Sequence, residues 1–300
     1  MNAKSVKDDN YVCPVCKQPL TPTANGLCCQ REGIEYSIKN GIVDFVTEDL
    51  TKSTNLFFRF VDKFDDFAKS YEGPSWYGTL DKVNAEFGLP SLEETATMLT
   101  EAVDAKDGLG LDVACGTGFF TRPLAQKMRL VYGIDISMGM LQQATEYARE
   151  RGIGNIRFAH SRAERLPFAD GLFDGVTCCG ALHTFQDTVE ALTEMARVMK
   201  SGARLGVLTI LKQDLSVLKK FYERVPSSLF GEEASLEVLH LFDVGERGRY
   251  QQSAVLNAME QKMLHFFDVE ELDKYLAQTG FRGFKYDVYG PVILLHAEKE

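Results

Sequence analysis

Two stretches of the chain carry residues whose types and spacing could do chemistry. The first is Leu111 to Phe120, LDVACGTGFF, where Ala114, Gly116 and Gly118 sit at alternate positions after an apolar run containing Asp112. Small residues there let a ligand approach the backbone, and a following helix would offer unpaired N–H groups and a positive dipole end. Asp135 closes the next apolar run, Val131-Tyr-Gly-Ile-Asp135. Beside such a loop its carboxylate can accept both hydroxyls of a ribose. The glycines alone describe a ligand-free tight turn equally well. Two nucleotide classes are disfavoured: Thr121 stands where a dinucleotide loop has its third glycine, and no Gly-Lys-Ser/Thr follows for a triphosphate. The second stretch is Cys13-Pro-Val-Cys16 followed by Cys28 and Cys29, a zinc-ribbon spacing without a second Cys-x-x-Cys. Adjacent residues of an extended segment point to opposite sides, so only one of Cys28 and Cys29 can join such a site.

These residues need elements to hold them. Residues 1–50 read as a small β module, with Ile34–Ile38 alternating like a strand before a Lys-Asn-Gly turn. Residues 51–108 read as a helical cap. Its aromatic stripe runs from Phe57 through Phe58, Phe60, Phe64 and Phe67 to Tyr71, then Gly73-Pro74 breaks it before Trp76 and Tyr77. The stripe is mostly core by this reading, with Tyr71 and Trp76 lining an apolar substrate pocket. Ser91 and Glu94 form a capping box. From 109 onward strands are expected at 109–114, 130–134, 156–159, 173–179 and 203–210, and helices at 119–128, 138–151 and 187–200. That alternation implies an α/β fold, a mostly parallel Rossmann-like sheet with helices on both faces. A helical insertion over 211–264 should cover the strand ends, with Arg247, Arg249 and Tyr250 as its polar candidates. Two closing strands, 281–288 and 291–298, should form a hairpin that adds one antiparallel strand.

Bulk properties narrow the function. The net charge of −10 and pI near 5.1 disfavour a nucleic-acid partner, because Lys and Arg supply most affinity for phosphates. No apolar run reaches membrane-spanning length, and the start lacks a signal peptide's apolar core, so a cytoplasmic location is expected. Seven cysteines in such a chain suit thiols or a metal better than a disulfide framework.

Four segments in order, LDVACGTGFFTRPLA, VYGIDIS, AERLPFADGLFDGV and EMARVMKSGARL, resemble the successive motifs of class I S-adenosylmethionine-dependent methyltransferases. Within that family the chain is most similar to the ubiquinone/menaquinone type, in a plastid and bacterial subgroup that carries an N-terminal cysteine knuckle. CGALHTFQD and GFRGFKYDVYGPVILLHAEK fit that subgroup. The resemblance implies that Asp112, Ala114, Cys115, Gly116 and Gly118 hold the methionine part of the cofactor. It places Asp135 on the ribose, Ile136 and Met140 against the adenine, Ala163 and Glu164 at the adenine edge, and Cys179 and Gly180 beside the sulfonium. There are two departures. Ala114 replaces the first family glycine, a mild change by side-chain size. Arg162 stands where an aspartate receives the adenine amino group, and a guanidinium has only donors.

CPVCKQPL and LCCQREGIEYSIKNGIVDFV resemble small zinc-ribbon-like domains, which implies Cys13, Cys16, Cys29 and Glu32 as ligands of a structural zinc ion. The alternative is a metal-free β module. After the fourth strand the Asn/Asp-Pro-Pro-Tyr signature of amino-group DNA methyltransferases is absent. His183 stands there as a candidate base or substrate ligand, or as a residue that packs under the lid. The leading expectation is in-line methyl transfer to a small, partly apolar quinone-, phenol- or lipid-like molecule. A ribosomal RNA guanine methyltransferase shares the CPxCxxPL opening, but residues 1–50 hold 5 Lys and Arg against 7 Asp and Glu. A non-catalytic S-adenosylmethionine-binding protein is the third reading. Oligomeric state is left open.

Overall fold

The computed structural model describes residues 10–50, 61–103, 105–212 and 265–300, together with Val217, Lys220 and Arg224. Apart from its first residues and those three, the expected insertion at 211–264, with Arg247, Arg249 and Tyr250, lies outside the described residues, as do Phe57, Phe58 and Phe60.

The chain opens with four short antiparallel strands, β1 (Thr21–Pro22), β2 (Gly26–Cys29), β3 (Ile34–Lys39) and β4 (Ile42–Asp44). The cap follows as helices α1 (Val61–Phe67), α2 (Tyr77–Glu86) and α3 (Leu92–Val103). Gly73-Pro74 separates α1 from α2, and the Ser91–Glu94 box opens α3, with Ser91 N–H donating to Glu94 at 2.8 Å and Glu94 N–H to Ser91 Oγ at 3.2 Å. Strand and helix then alternate: β5 (Leu109–Val113), α4 (Thr121–Lys127), β6 (Leu130–Asp135), α5 (Met138–Glu150), β7 (Ile156–His160), β8 (Phe173–Cys179), α6 (Thr188–Val198) and β9 (Met199–Ile210). Helix α7 (Val269–Gln278) and the hairpin β10 (Phe281–Tyr289) and β11 (Val292–Lys299) close the chain.

Strands β5 to β9 pair in parallel in the order β7-β6-β5-β8-β9, and β11 lies antiparallel to β9 as the one reversed strand of that half. Leu111, Val113, Val131, Val176, Leu205 and Val207 are buried because helices cover both faces. The order turns back on either side of β5, and at such a switch point the crevice beyond the strand ends opens. One boundary differs from expectation. The helix expected to reach residue 200 stops at Val198, because Met199 pairs with Phe173 and starts β9 four residues early. A register shift opposite Phe173 and Gly175 absorbs the extra residues, with Gly202 at φ +78°.

The cysteine module continues the sheet. Strand β4 pairs in parallel with β7 through Val43–Ala159 and Asp44–His160, giving eleven strands in one sheet. Tyr11, Tyr36 and Phe45 pack with Tyr132 and Phe168 of the main body. No helix among the described residues is long and apolar enough to cross a membrane.

Candidate active site

Two cavities meet at the carboxyl ends of the parallel strands. The first lies over β5, β6 and β7 and is lined by Ala114, Gly116, Asp135, Ile136, Met140, Ala163, Glu164, Cys179 and Gly180, all named from sequence. Val61, Phe64 and Tyr71 of the cap, Arg162 after β7, and Thr184 and Phe185 after β8 also line it. Asp112, Cys115 and Gly118 do not line it. Asp112 is buried behind the loop, accepting hydroxyl hydrogen bonds from Thr121 at 2.6 Å and Thr177 at 2.8 Å. It therefore fixes the loop to α4 and β8. Burial, outweighing those hydrogen bonds, pushes its pKa up to about 6.

Asp135 organises the opposite wall. One carboxylate oxygen accepts the Gly116 N–H at 2.8 Å and the other accepts the Ser137 N–H at 2.8 Å. Each oxygen keeps a lone pair for a ligand hydroxyl. Gly116 has φ +54°, and a Cβ there would meet no protein atom within 4 Å, which is the open face a ligand needs. Ala114 has φ +57°, in the left-handed region, so its departure from glycine is conformational as well as a matter of size.

Sequence reasoning missed what holds these loops. Two carboxylates of the cap reach down onto them. Asp65 accepts from Ser137 Oγ and from Gly139 N–H at 2.8 Å, and a Cβ on Gly139 would stand 2.6 Å from the Asp65 backbone. Glu72 receives the Arg122 guanidinium at 2.7 and 3.0 Å and the Thr117 hydroxyl at 2.7 Å. Neither pairing has a local sequence signal, since the partners lie 45 to 74 residues apart.

The second cavity adjoins the first through Tyr71, Cys179 and Gly180. Trp76 and Tyr77, residues of α2 and α3, Leu208 and Ile210 of β9, Tyr289, Val292 and Leu294 of the hairpin, and His183 line it. Among the described lining residues none is Asp, Glu, Lys or Arg. Tyr71 stacks on Trp76 at 5.4 Å and meets Tyr77 edge-on at 5.0 Å. The His183 ring stacks on Phe266 at 5.6 Å, and its Nδ1 is 3.4 Å from Thr209 Oγ1. Burial lowers its pKa to about 4, so the imidazole is neutral near pH 7. Burial raises the pKa of Cys179 well above its usual value, which keeps a competing thiolate away from the junction.

The cysteine cluster lies apart from both cavities. The Sγ atoms of Cys13, Cys16 and Cys29 all fall within 4.8 Å of one another, with Cys16 and Cys29 at 3.5 Å. Cys28 points away and takes a contact from Gln30. Glu32 is outside that group, although its N–H donates to Cys29 Sγ at 3.5 Å. Burial, with the neighbouring Cys29, Cys13 and Glu32, pushes the Cys16 thiol up to about 11. A tetrahedral zinc ion with bonds of about 2.3 Å needs sulfurs roughly 3.8 Å apart, which this cluster fits.

A family model described as a methyltransferase domain matches residues 111–207. A ubiquinone/menaquinone biosynthesis C-methyltransferase of Serratia proteamaculans is 40% identical over 192 residues, covering 62% of this chain and 71% of that protein. A demethylmenaquinone methyltransferase of Geobacillus is 36% identical over 128 residues, covering 41% of this chain. An uncharacterized methyltransferase of Bacillus subtilis is 32% identical over 129 residues, covering 43%. The chain spans about half the length of the last two, 55% and 51%. The crystal structure of the Bacillus subtilis protein superposes with a TM-score of 0.51 at 17% identity, over 69% of this chain and 99% of that one, a likeness of fold. With the ordered motifs, the sheet order and these relatives in agreement, the chain belongs to the class I S-adenosylmethionine-dependent methyltransferases of the ubiquinone/menaquinone type.

Proposed function

We propose that the chain transfers a methyl group from S-adenosylmethionine to a small, uncharged, partly apolar acceptor of the quinone or phenol kind. The observation that carries this reading is the pair of cavities joined at Tyr71, Cys179 and Gly180, the first holding Asp135, Arg162 and Glu164 and the second without a charged side chain among its described lining residues. Moving a charge into such a space costs several kcal/mol unless it is paired, so the acceptor enters neutral. A cavity lined without charged side chains among the described residues supports a small molecule, whereas RNA would call for a basic trough.

The cofactor, when bound, supplies an electrophilic methyl group on its sulfonium. The chain supplies position. Asp135 holds the ribose hydroxyls, Ile136 and Met140 flank the adenine, and Ala114 and Gly116 leave room for the methionine end. Asp112 acts from behind by fixing the loop. Tyr71, Trp76 and His183 hold the acceptor. His183, 3.4 Å from Thr209 through Nδ1, is a hydrogen-bond partner for an acceptor hydroxyl; with a pKa of about 4 it positions that hydroxyl, whose proton passes to water. Names borne by relatives favour the same class, since two of them are called menaquinone-type methyltransferases.

Calorimetry with S-adenosylhomocysteine tests the cofactor half. Methyl-labelled S-adenosylmethionine offered with quinones, phenols, lipids and ribosomal RNA tests the acceptor half. Label found in RNA and in none of the small molecules overturns the reading. The thiolates of Cys13, Cys16 and Cys29 would hold a structural zinc ion, with Glu32 beside them. Metal analysis checks this, and stoichiometric zinc retained by Cys13→Ser would sink it.

A further inference from the structure

We infer that Arg162 is a positioning residue that ties the N-terminal module to the wall of the first cavity, so that cofactor affinity depends on its contact with Glu48. This rests on the reading that S-adenosylmethionine occupies that cavity. Arg162 lines the cavity at the position where the family carries an acceptor, so its own polar atoms need partners elsewhere. They find three. Nη1 donates to Glu48 Oε1 at 2.7 Å, Nη2 donates to Gln186 Oε1 at 2.7 Å, and Nε faces Glu164 Oε2 at 3.5 Å. Glu164 in turn accepts the Gln186 N–H at 3.1 Å. One guanidinium thus joins the module's last residues, the wall at 161–164 and the segment after β8. That segment carries Thr184 and Phe185 of the first cavity and His183 of the second. The arrangement uses the planar fork of arginine, which a single ammonium cannot copy.

The same stretch of the module braces another part of the cavity. Asp44, four residues before Glu48, pairs with His160 Nδ1 at 2.7 Å, and His160 Nε2 is 2.8 Å from the Ile136 carbonyl. Ile136 lines the first cavity. The contacts also run back to the thiol cluster, because Tyr36 on β3 meets Cys13 Sγ through its hydroxyl at 3.3 Å. Glu48 is 43% exposed at its side chain, so its ion pair adds little to global stability. Its effect is on the ordering of the wall, which a ligand feels and a melting curve does not.

The test is a double-mutant cycle on S-adenosylhomocysteine affinity, measured by calorimetry with the full chain. Arg162→Gln should weaken binding about 10-fold and Glu48→Gln about 3-fold, with the double variant no weaker than Arg162→Gln, because partners in one network are not additive. Arg162→Lys should recover part of the loss, keeping one ion pair without the fork. Melting temperatures should stay within about 3 °C of the unaltered chain. Unchanged affinity in Glu48→Gln, or additive losses, overturns the link to the module. Losses that follow melting temperature across all variants overturn it as well. Failure of the unaltered chain to bind S-adenosylhomocysteine fells the cofactor reading instead, and Asp135→Ala marks what loss of that site looks like.

Discussion

The two cavities share three residues yet are built in opposite ways. The first hangs on hydrogen bonds: Asp135 grips the Gly116 and Ser137 amides, and Arg162 ties Glu48, Glu164 and Gln186 together. The second hangs on apolar packing, with the Tyr71–Trp76–Tyr77 cluster facing β9 and β11. The difference teaches that the two half-sites can be changed separately. A cradle held by hydrogen bonds presents a fixed pattern of donors and acceptors to its ligand. An apolar cavity takes its selectivity from shape and from the penalty on charge, so it adapts by side-chain volume.

The contrast breaks most sharply at Asp135. Asp135→Ala leaves the Gly116 and Ser137 amides without their partner and, on the proposed reading, removes the acceptor for two ribose hydroxyls. S-adenosylhomocysteine affinity should fall about 1,000-fold, the sum of two charge-assisted hydrogen bonds. Calorimetry checks this, and a loss under 10-fold would place the cofactor elsewhere.

Each half also holds a buried group whose pKa is moved, His183 and Asp112, and these two oppose each other. His183 titrates near 4 in the folded chain against a usual 6.5, so the unfolded chain binds its proton first and stability falls as pH drops from 6.5 to 4. Asp112 titrates near 6 against a usual 3.8, so the folded chain keeps its proton longer and stability falls as pH rises from 3.8 to 6. Each effect is about 3 kcal/mol and the two run in opposite directions, while Asp135, which burial also raises, adds to the Asp112 side. As pH rises from 4 to 6, His183→Gln should lose stability, because only the Asp112 side remains, and Asp112→Asn should gain it. Urea unfolding at stepped pH reads both. Parallel curves for the two variants would show that burial at these sites is not what sets their charge.

A smaller effect is expected from Ile210→Glu, which brings a carboxylate into the apolar cavity. Acceptor turnover should fall about 30-fold while S-adenosylhomocysteine affinity changes less than about 2-fold. Equal losses in both would mean that the cavities act as one, and the comparison would fail.

What was legible in the sequence follows the same division. A βαβ unit brings a strand end and the next helix start to one place, so Gly116 and Asp135 declare the first cavity within 25 residues. The hairpin and the reversed strand were legible from a Tyr-Gly-Pro turn between two apolar runs. The second cavity was not, because Leu208, Ile210, Tyr289 and Leu294 look like any core residues and meet only when β9 and β11 pair. Arg162 was legible as an oddity, but its partner Glu48 lies 114 residues away. No local pattern encodes a contact at that distance. The same holds for Asp65 and Glu72 on the cofactor loops.

The smallest effect concerns Ala114, where side-chain size misleads. Alanine adds one carbon to glycine, yet at φ +57° that carbon crowds the following carbonyl at a cost of about 1 kcal/mol. Glycine would remove the strain but would give the unfolded chain more freedom, an opposing 0.5 to 1 kcal/mol, roughly. Ala114→Gly should therefore shift stability by less than about 1 kcal/mol. Affinity should move less than about 2-fold, because Asp135 rather than residue 114 holds the Gly116 amide. Urea unfolding and calorimetry read the two quantities. A gain of 10-fold in affinity would mean that the alanine methyl group narrows the cradle, and that the first cavity, like the second, is tuned by volume.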